Sequence, residues 1–364
     1  MTEKLLSELT TAAVGGPARK YVRAETEQEI MDAVAAADAA GEKVLIVGGG
    51  SNILVADSGF EGTVVHIAST GIEKLDIPAC GGANVRVAAG HNWDDFVEYA
   101  ISQEWVGIEA LSGIPGVVGA TPVQNVGAYG CEVAQTISQV RTYDRETGQR
   151  KTFALADLKF SYRDSILKQS MVNGSPRYVV LSVDFQFTLG NLSAPIRYAE
   201  LARQLGVEVG DRADSATVRE TVLRLRAGKG MVLDSADRDT FSTGSFFTNP
   251  IVDDALLASL PDEAPRYPVT DATSGAVMEG KTKLSAAWLI QHAGFDKGFG
   301  LEGDSAAIAG GRASLSTKHT LAITNRGGAS CADLLAIART VRDGVLQAFG
   351  VKLVPEPVIV GESL

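Results

Sequence analysis

From 179 to 189 the chain sets Val179, Leu181, Val183, Phe185, Phe187 and Leu189 at every second position, with Ser182, Asp184, Gln186 and Thr188 between them. That period of two predicts a strand with one buried face. The apolar runs KVLIV (43–47), GTVVHIA (62–68) and NVRVAAG (84–90) read as further strands, as does 320–324. A three-to-four spacing predicts helices at 25–40, with Thr26 and Glu29 as a capping box, and at 92–103, with Trp93, Phe96, Val97, Ala100 and Ile101 inward. It predicts another at 215–230, capped by Thr217 and Glu220 and stopped by glycines near Lys229. Two more follow at 284–293 and about 331–349, the second turning Leu334, Leu335, Ala338, Val341 and Val345 inward. The segment 231–283, rich in Pro, Asp, Ser and Gly, reads as loop, and the closing VKLVPEPVIVG reads as strand.

At 364 residues the chain is too long for one small core, so two or three packed units are expected. No segment runs 18 apolar residues without a charge, and the N-terminal MTEKLLSELTTAAVGG lacks the apolar core of a signal peptide. Residence in the cytoplasm, without membrane insertion, is the expectation. A net charge of -11 repels nucleic acid, so an anionic ligand needs locally concentrated cations. Cys80, Cys131 and Cys331 are scattered and odd in number, and His66, His91, His292 and His319 stand alone. No disulfide framework and no metal site are expected, and the absence of G-x-S-x-G argues against a hydrolase.

The stretch VLIVGGGSN (44–52) runs an apolar strand into Gly48, Gly49 and Gly50. A dinucleotide fingerprint would need glycine where Ile53 stands, and a Walker A loop would need lysine where Ser51 stands. Three glycines still expose successive backbone N–H groups, a nest for a pyrophosphate to which Ser51 and Asn52 add donors. A tight strand-to-helix turn accounts for the same residues. The second run, GIPGVVGATPVQNVGAYG (113–130), supplies small residues for close approach from another side.

VGGGSN, then GIPGxVGxxPxQNxGAYG, SYRDS (161–165) and GSFFTNP (244–250), in that order across nearly the whole chain, resemble the UDP-N-acetylenolpyruvoylglucosamine reductase (MurB) family of flavoenzymes. The resemblance implies an α+β protein: a two-subdomain FAD-binding fold of the MurB/vanillyl-alcohol-oxidase-like superfamily plus a third, α+β substrate-binding domain. The subdomains would be 1–70, joined by a returning strand at 350–364, and 71–228, with substrate bound by 229–349. NADPH would reduce non-covalent FAD, which reduces UDP-N-acetylglucosamine enolpyruvate to UDP-N-acetylmuramate for peptidoglycan, in a chain expected to act as a monomer. The implied FAD contacts are Gly48, Gly49, Gly50, Ser51 and Asn52 in the first run, and Ile114, Pro115, Gly116, Gly119, Ala120, Thr121, Asn125 and Gly127 in the second.

Reducing an enol ether conjugated with a carboxylate builds an enolate, so the site needs a fixed cation at the carboxylate and a proton donor at the adjacent carbon. Arg163 of SYRDS matches the family's carboxylate-holding arginine, although pairing with Asp164 at the surface is the simpler use of that residue. Ser245 of GSFFTNP matches the proton donor, against the commoner role of a turn or cap residue. Glu356 of LVPEPVIVG matches a second acid, but Pro357 removes a backbone donor and Val358 stands where a basic residue is common. Lys229 and Asn249 match positions at the substrate diphosphate, and Tyr198 matches a loop tyrosine of one subclass. Tyr267 and His319 fall at substrate-side positions. Two rivals remain: another FAD-dependent oxidoreductase acting on an alcohol or lactone, with Cys131 as a conceivable covalent anchor, and a non-catalytic sugar-nucleotide-binding protein.

Overall fold

In the first part of the 179–189 run Ser182 and Asp184 are as buried as their apolar neighbours, whereas Gln186 and Thr188 are exposed. In the computed structural model, which describes residues 4–76, 82–172, 174–270 and 276–364, the strand Tyr178–Leu189 is buried at every position up to Phe185. Cys80 lies outside the described residues. The strand runs between Ile137–Asp144 and Ala83–Ala88 in an antiparallel sheet whose outer strands are Gln149–Ala154 and Ile72–Asp76. The one-face expectation is therefore corrected up to Phe185, where the strand is covered on both sides and its polar side chains must be satisfied; from Gln186 to Thr188 the alternation holds. Arg86 donates twice to the Asp184 carboxylate at 2.8 Å, Gln139 adds a third bond, and Arg141 reaches the Ser182 hydroxyl at 3.3 Å. Leu189, expected inward, is 45% exposed.

This sheet belongs to one of two compact units, formed by Arg19–Gly49 and Glu61–Gly228. Its core gathers around the helix Trp93–Ser102, capped by Asn92, whose Phe96 packs 5.0 Å from the Phe185 ring. The helix Glu27–Ala39 starts at Thr26, whose hydroxyl accepts from Glu29 N; the Glu29 carboxylate accepts from Glu25 N, one residue before the capping-box partner expected. The Val44–Val47 strand lies parallel to Phe60–Ile67 and delivers the first glycines. In the helix Ser215–Gly228 the cap is Asp214, which accepts from the Thr217 N–H and hydroxyl at 2.8 and 2.9 Å. Thr217 thus lies in the first turn and is not the cap expected, because the helix begins two residues earlier.

The other unit combines the N-terminal segment up to Ala18 with Gly50–Phe60 and Lys229–Leu364. Its core forms on the helix Cys331–Phe349, whose limits and inward residues agree with the periodicity. Ser330 and Asp333 close a capping box at its start, and Gly350 stops it at φ 69°. The strand expected at 320–324 is Ile323–Asn325, paired with Ala313–Leu315. Val358–Val360 pairs in parallel with Ile53–Val55. The segment read as loop is corrected: it holds a three-stranded sheet of Ile251–Asp253, Val277–Leu284 and Arg266–Thr270. Most of its side chains are exposed, so no buried face imprints an alternation on the sequence.

Candidate active site

The strand Val44–Val47 ends at glycines that meet the second glycine-rich run main chain to main chain. A Cβ on Gly49 would lie 2.7 Å from Gly116 Cα, and one on Gly48 would lie 2.4 Å from a Val117 methyl. The missing side chains therefore make room for the partner run rather than for a ligand directly. The second run is itself pinned: Trp93 N donates to Gly116 O at 3.1 Å, Val118 N to His91 O at 2.9 Å and Gly119 N to Ala89 O at 2.7 Å. Ile114, Pro115, Gly116 and Val117 stay half-buried and Ala120 is exposed, while Thr121 turns its hydroxyl onto Val118 O. Two Gly-rich main chains in contact offer backbone N–H groups without intervening side chains, a donor set that fits a pyrophosphate such as that of FAD. In the other unit Gly50, at φ 60°, leaves no room for a Cβ, which would fall 1.8 Å from Leu9 O.

Arg163 turns away from Asp164. Its guanidinium donates to the carbonyls of Gly127 at 2.7 Å and Asn125 at 3.5 Å, whereas Asp164 accepts from Ser165 N and Gln169. Those two carbonyls orient the guanidinium through charge-assisted bonds. Arg163 and Asn125 both adopt left-handed backbone, at φ 55° and 48°. Fully buried Asn125 uses its side chain as a brace, donating to Glu132 at 2.8 Å and Ser161 O at 3.2 Å and accepting from Ala134 N. The SYRDS turn is thereby tied to the second glycine-rich run. Lys168 completes the tie through the Arg163 carbonyl at 2.9 Å, a main-chain partner that the residue types of the segment do not announce.

In the other unit the main chains around Ser245 and Glu356 run side by side, outside any regular strand. Ser245 bridges Ala322, Phe246 N donates to Leu321 O at 2.7 Å, and Glu356 N donates to Phe246 O at 2.8 Å. The Asn52 amide donates to Glu356 O at 3.4 Å, and Val358 N donates to Asn52 O at 3.0 Å. Pro357 thus sits between two residues whose N–H groups face opposite neighbours, where its own missing donor leaves the pairing intact. The turn before Ala322 carries His319, whose N–H donates to Ser316 Oγ at 3.2 Å. Asp239 supports that turn by accepting from Thr317 N at 2.8 Å and from Arg326 at 2.6 Å. Burial pushes the Asp239 carboxyl upward, but bonds from Thr317, Ser316 and Arg326 outweigh it and hold the group below the ordinary range. Asn249 accepts from Ala286 N at 3.0 Å, capping the neighbouring helix Ala286–His292. Lys229 begins this unit half-buried, and Tyr267 stands 47% exposed on Arg266–Thr270.

Tyr198 heads the helix Ala199–Leu205, 44% exposed and edge-on to Tyr129 at 5.5 Å. Buried Glu109 holds the chain on either side of this helix, by bonds from Ala194 N and from the Ser215 hydroxyl at 3.4 Å. Cys131 is buried beside it and donates to Gly107 O; burial pushes its thiol up to about 12, which removes the thiolate a covalent flavin link would need. Among the described residues no group of His, Cys, Asp and Glu has the arrangement of a metal site.

Residues 18–153 match the FAD binding domain family, and residues 236–360 match the C-terminal domain of UDP-N-acetylenolpyruvoylglucosamine reductase. The UDP-N-acetylenolpyruvoylglucosamine reductase of Cutibacterium acnes is 54% identical over 98% of this chain and 89% of its own length. That of Saccharopolyspora erythraea is 52% identical over 99% of this chain and 95% of its own length. The crystal structure of the Thermus caldophilus enzyme superposes with a TM-score of 0.63 at 23% identity, covering 98% of both chains, and shows that the fold is shared. An FAD-binding domain, a matching C-terminal domain and half-identical relatives along the whole length give one conclusion: the chain belongs to the UDP-N-acetylenolpyruvoylglucosamine reductase family.

Proposed function

We propose that the chain is an FAD-containing, NADPH-dependent reductase that converts UDP-N-acetylglucosamine enolpyruvate to UDP-N-acetylmuramate in peptidoglycan precursor synthesis. The observation that carries it is the main-chain pairing that brings the Ser245 and Glu356 segments together, through the Glu356 N to Phe246 O bond at 2.8 Å. FAD, when bound, carries the hydride from NADPH to the sugar. The glycine-rich runs hold its pyrophosphate through backbone donors. Arg163 holds the substrate carboxylate, where its planar fork stabilises charge as the enolate develops. Ser245 delivers a proton to the adjacent carbon, and Glu356 acts at the carboxylate end of the substrate. Lys229 and Asn249 face the UDP diphosphate, with Tyr198, Tyr267 and His319 along the nucleotide sugar.

The finer parts of the reading are that Tyr198 marks the subclass with a substrate-loop tyrosine, and that the enzyme acts as a cytoplasmic monomer. Its exposure and edge contact with Tyr129 support a loop role for Tyr198. No helix among the described residues is long and apolar enough to cross a membrane. The three-part division at 1–70 with 350–364, 71–228 and 229–349 draws support from the Val358–Val360 pairing with Ile53–Val55 and from the unit boundary at Lys229. Anaerobic mixing tests the function: NADPH should bleach the flavin absorbance, and the enolpyruvyl UDP-sugar should restore it. Reduced flavin that the sugar leaves bleached would reject the assignment.

A further inference from the structure

Arg163 occupies the left-handed region at φ 55°, which a non-glycine residue keeps only where its surroundings hold it. The holding contacts act on both ends of the residue. Its guanidinium donates to Gly127 O and Asn125 O, and its own carbonyl accepts from Lys168 Nζ at 2.9 Å. Lys168 lies in the short helix Ile166–Gln169, where Ser165 caps the first turn by accepting from Lys168 N at 3.3 Å. Side chains of a first helical turn lean back toward the N-terminus, so the lysine stem runs over the SYRDS turn. The same ammonium reaches Gln124 Oε1 at 3.4 Å, in the buried part of the second glycine-rich run. An ammonium on a carbonyl is a charge-assisted bond, as are the guanidinium bonds at the other end of Arg163.

We propose that Lys168 is a positioning residue for reduction of the enolpyruvyl sugar: by clamping the Arg163 carbonyl to Gln124 it fixes the left-handed backbone of Arg163, and with it the direction in which the guanidinium meets the substrate carboxylate. The proposal rests on the carboxylate-holding role of Arg163. Without the clamp, the backbone is free to relax toward the right-handed region, and the guanidinium moves with it. An error of about an ångström in a charge-stabilising group is enough to slow a reaction strongly.

Lys168→Met, Lys168→Gln, Lys168→Arg, Arg163→Ala and the double variant Arg163→Ala/Lys168→Met test it in anaerobic stopped flow, with flavin content recorded for each. Lys168→Met should retain flavin and accept electrons from NADPH close to the parent rate. Reoxidation by the enolpyruvyl UDP-sugar should slow about 10- to 100-fold, the size of a lost charge-assisted hydrogen bond. Lys168→Arg should recover most of that loss, and Lys168→Gln should fall between, carrying the comparison if the methionine variant does not hold flavin. In the Arg163→Ala background Lys168→Met should add no further slowing. Reoxidation at the parent rate, or equal slowing of both half-reactions, would overturn the positioning role. Arg163→Ala reoxidising like the parent would instead remove the premise about Arg163.

Discussion

A methyl group on Gly49 would lie 2.7 Å from Gly116 Cα, well inside the contact distance of two carbons. Gly49→Val should therefore force the two glycine-rich runs apart and yield purified protein with a much lower flavin-to-protein ratio than the parent, measured by absorbance. A fully yellow Gly49→Val protein would show that the close approach is dispensable. VGGGSN announced glycines placed for a close approach, but not what they meet, because Gly116 and Val117 lie far along the chain. Arg163 shows the same limit. Its place in SYRDS pointed to a carboxylate, whereas its acceptors, Gly127 O and Asn125 O, depend on a left-handed backbone that residue type does not announce. At Pro357 the missing N–H leaves the backbone pairing intact, since it falls between the N–H groups that pair with Phe246 and Asn52.

The strand Tyr178–Leu189 separates two residues, Phe185 and Leu189, that the period of two placed alike on the buried face. Phe185 is fully buried against Trp93 and Phe96, whereas Leu189 ends the strand 45% exposed. Phe185→Ala should cost about 3–5 kcal/mol and Leu189→Ala less than about 0.5 kcal/mol, read from denaturant midpoints. Similar losses at both positions would restore the uniform one-face strand that period two suggests. Periodicity is reliable where a buried face dictates residue choice, as along Cys331–Phe349, where Leu334, Leu335, Ala338, Val341 and Val345 are buried as expected and Cys331 and Ile337 join them. It is silent where burial is slight, which is why the Ile251–Asp253, Arg266–Thr270 and Val277–Leu284 strands read as loop. The caps show a subtler failure: Asp214 and Thr217 are both good helix starters, and the helix takes the earlier.

Across the whole molecule, an acidic chain of net charge -11 is assigned an anionic sugar nucleotide, so its few well-placed cations matter more than its average field. Motif order along 364 residues carried the family assignment, and relatives about half identical over the full length agree with it. The braces that hold the motifs, Lys168 on Arg163 and Asp239 on the turn before Ala322, were not legible, because a brace needs only one donor or acceptor and many residue types supply it. The central claim is that hydride delivery to the enolpyruvyl sugar is completed by a proton from Ser245. Stopped-flow measurement of both half-reactions in Ser245→Ala tests it most directly. Reduction by NADPH needs no proton from serine and should run close to the parent rate, while reoxidation by the enolpyruvyl UDP-sugar should slow by about 10²- to 10⁴-fold, the usual worth of an aimed general acid. Reoxidation of Ser245→Ala as fast as the parent would contradict the account and make Ser245 a turn residue beside Ala322.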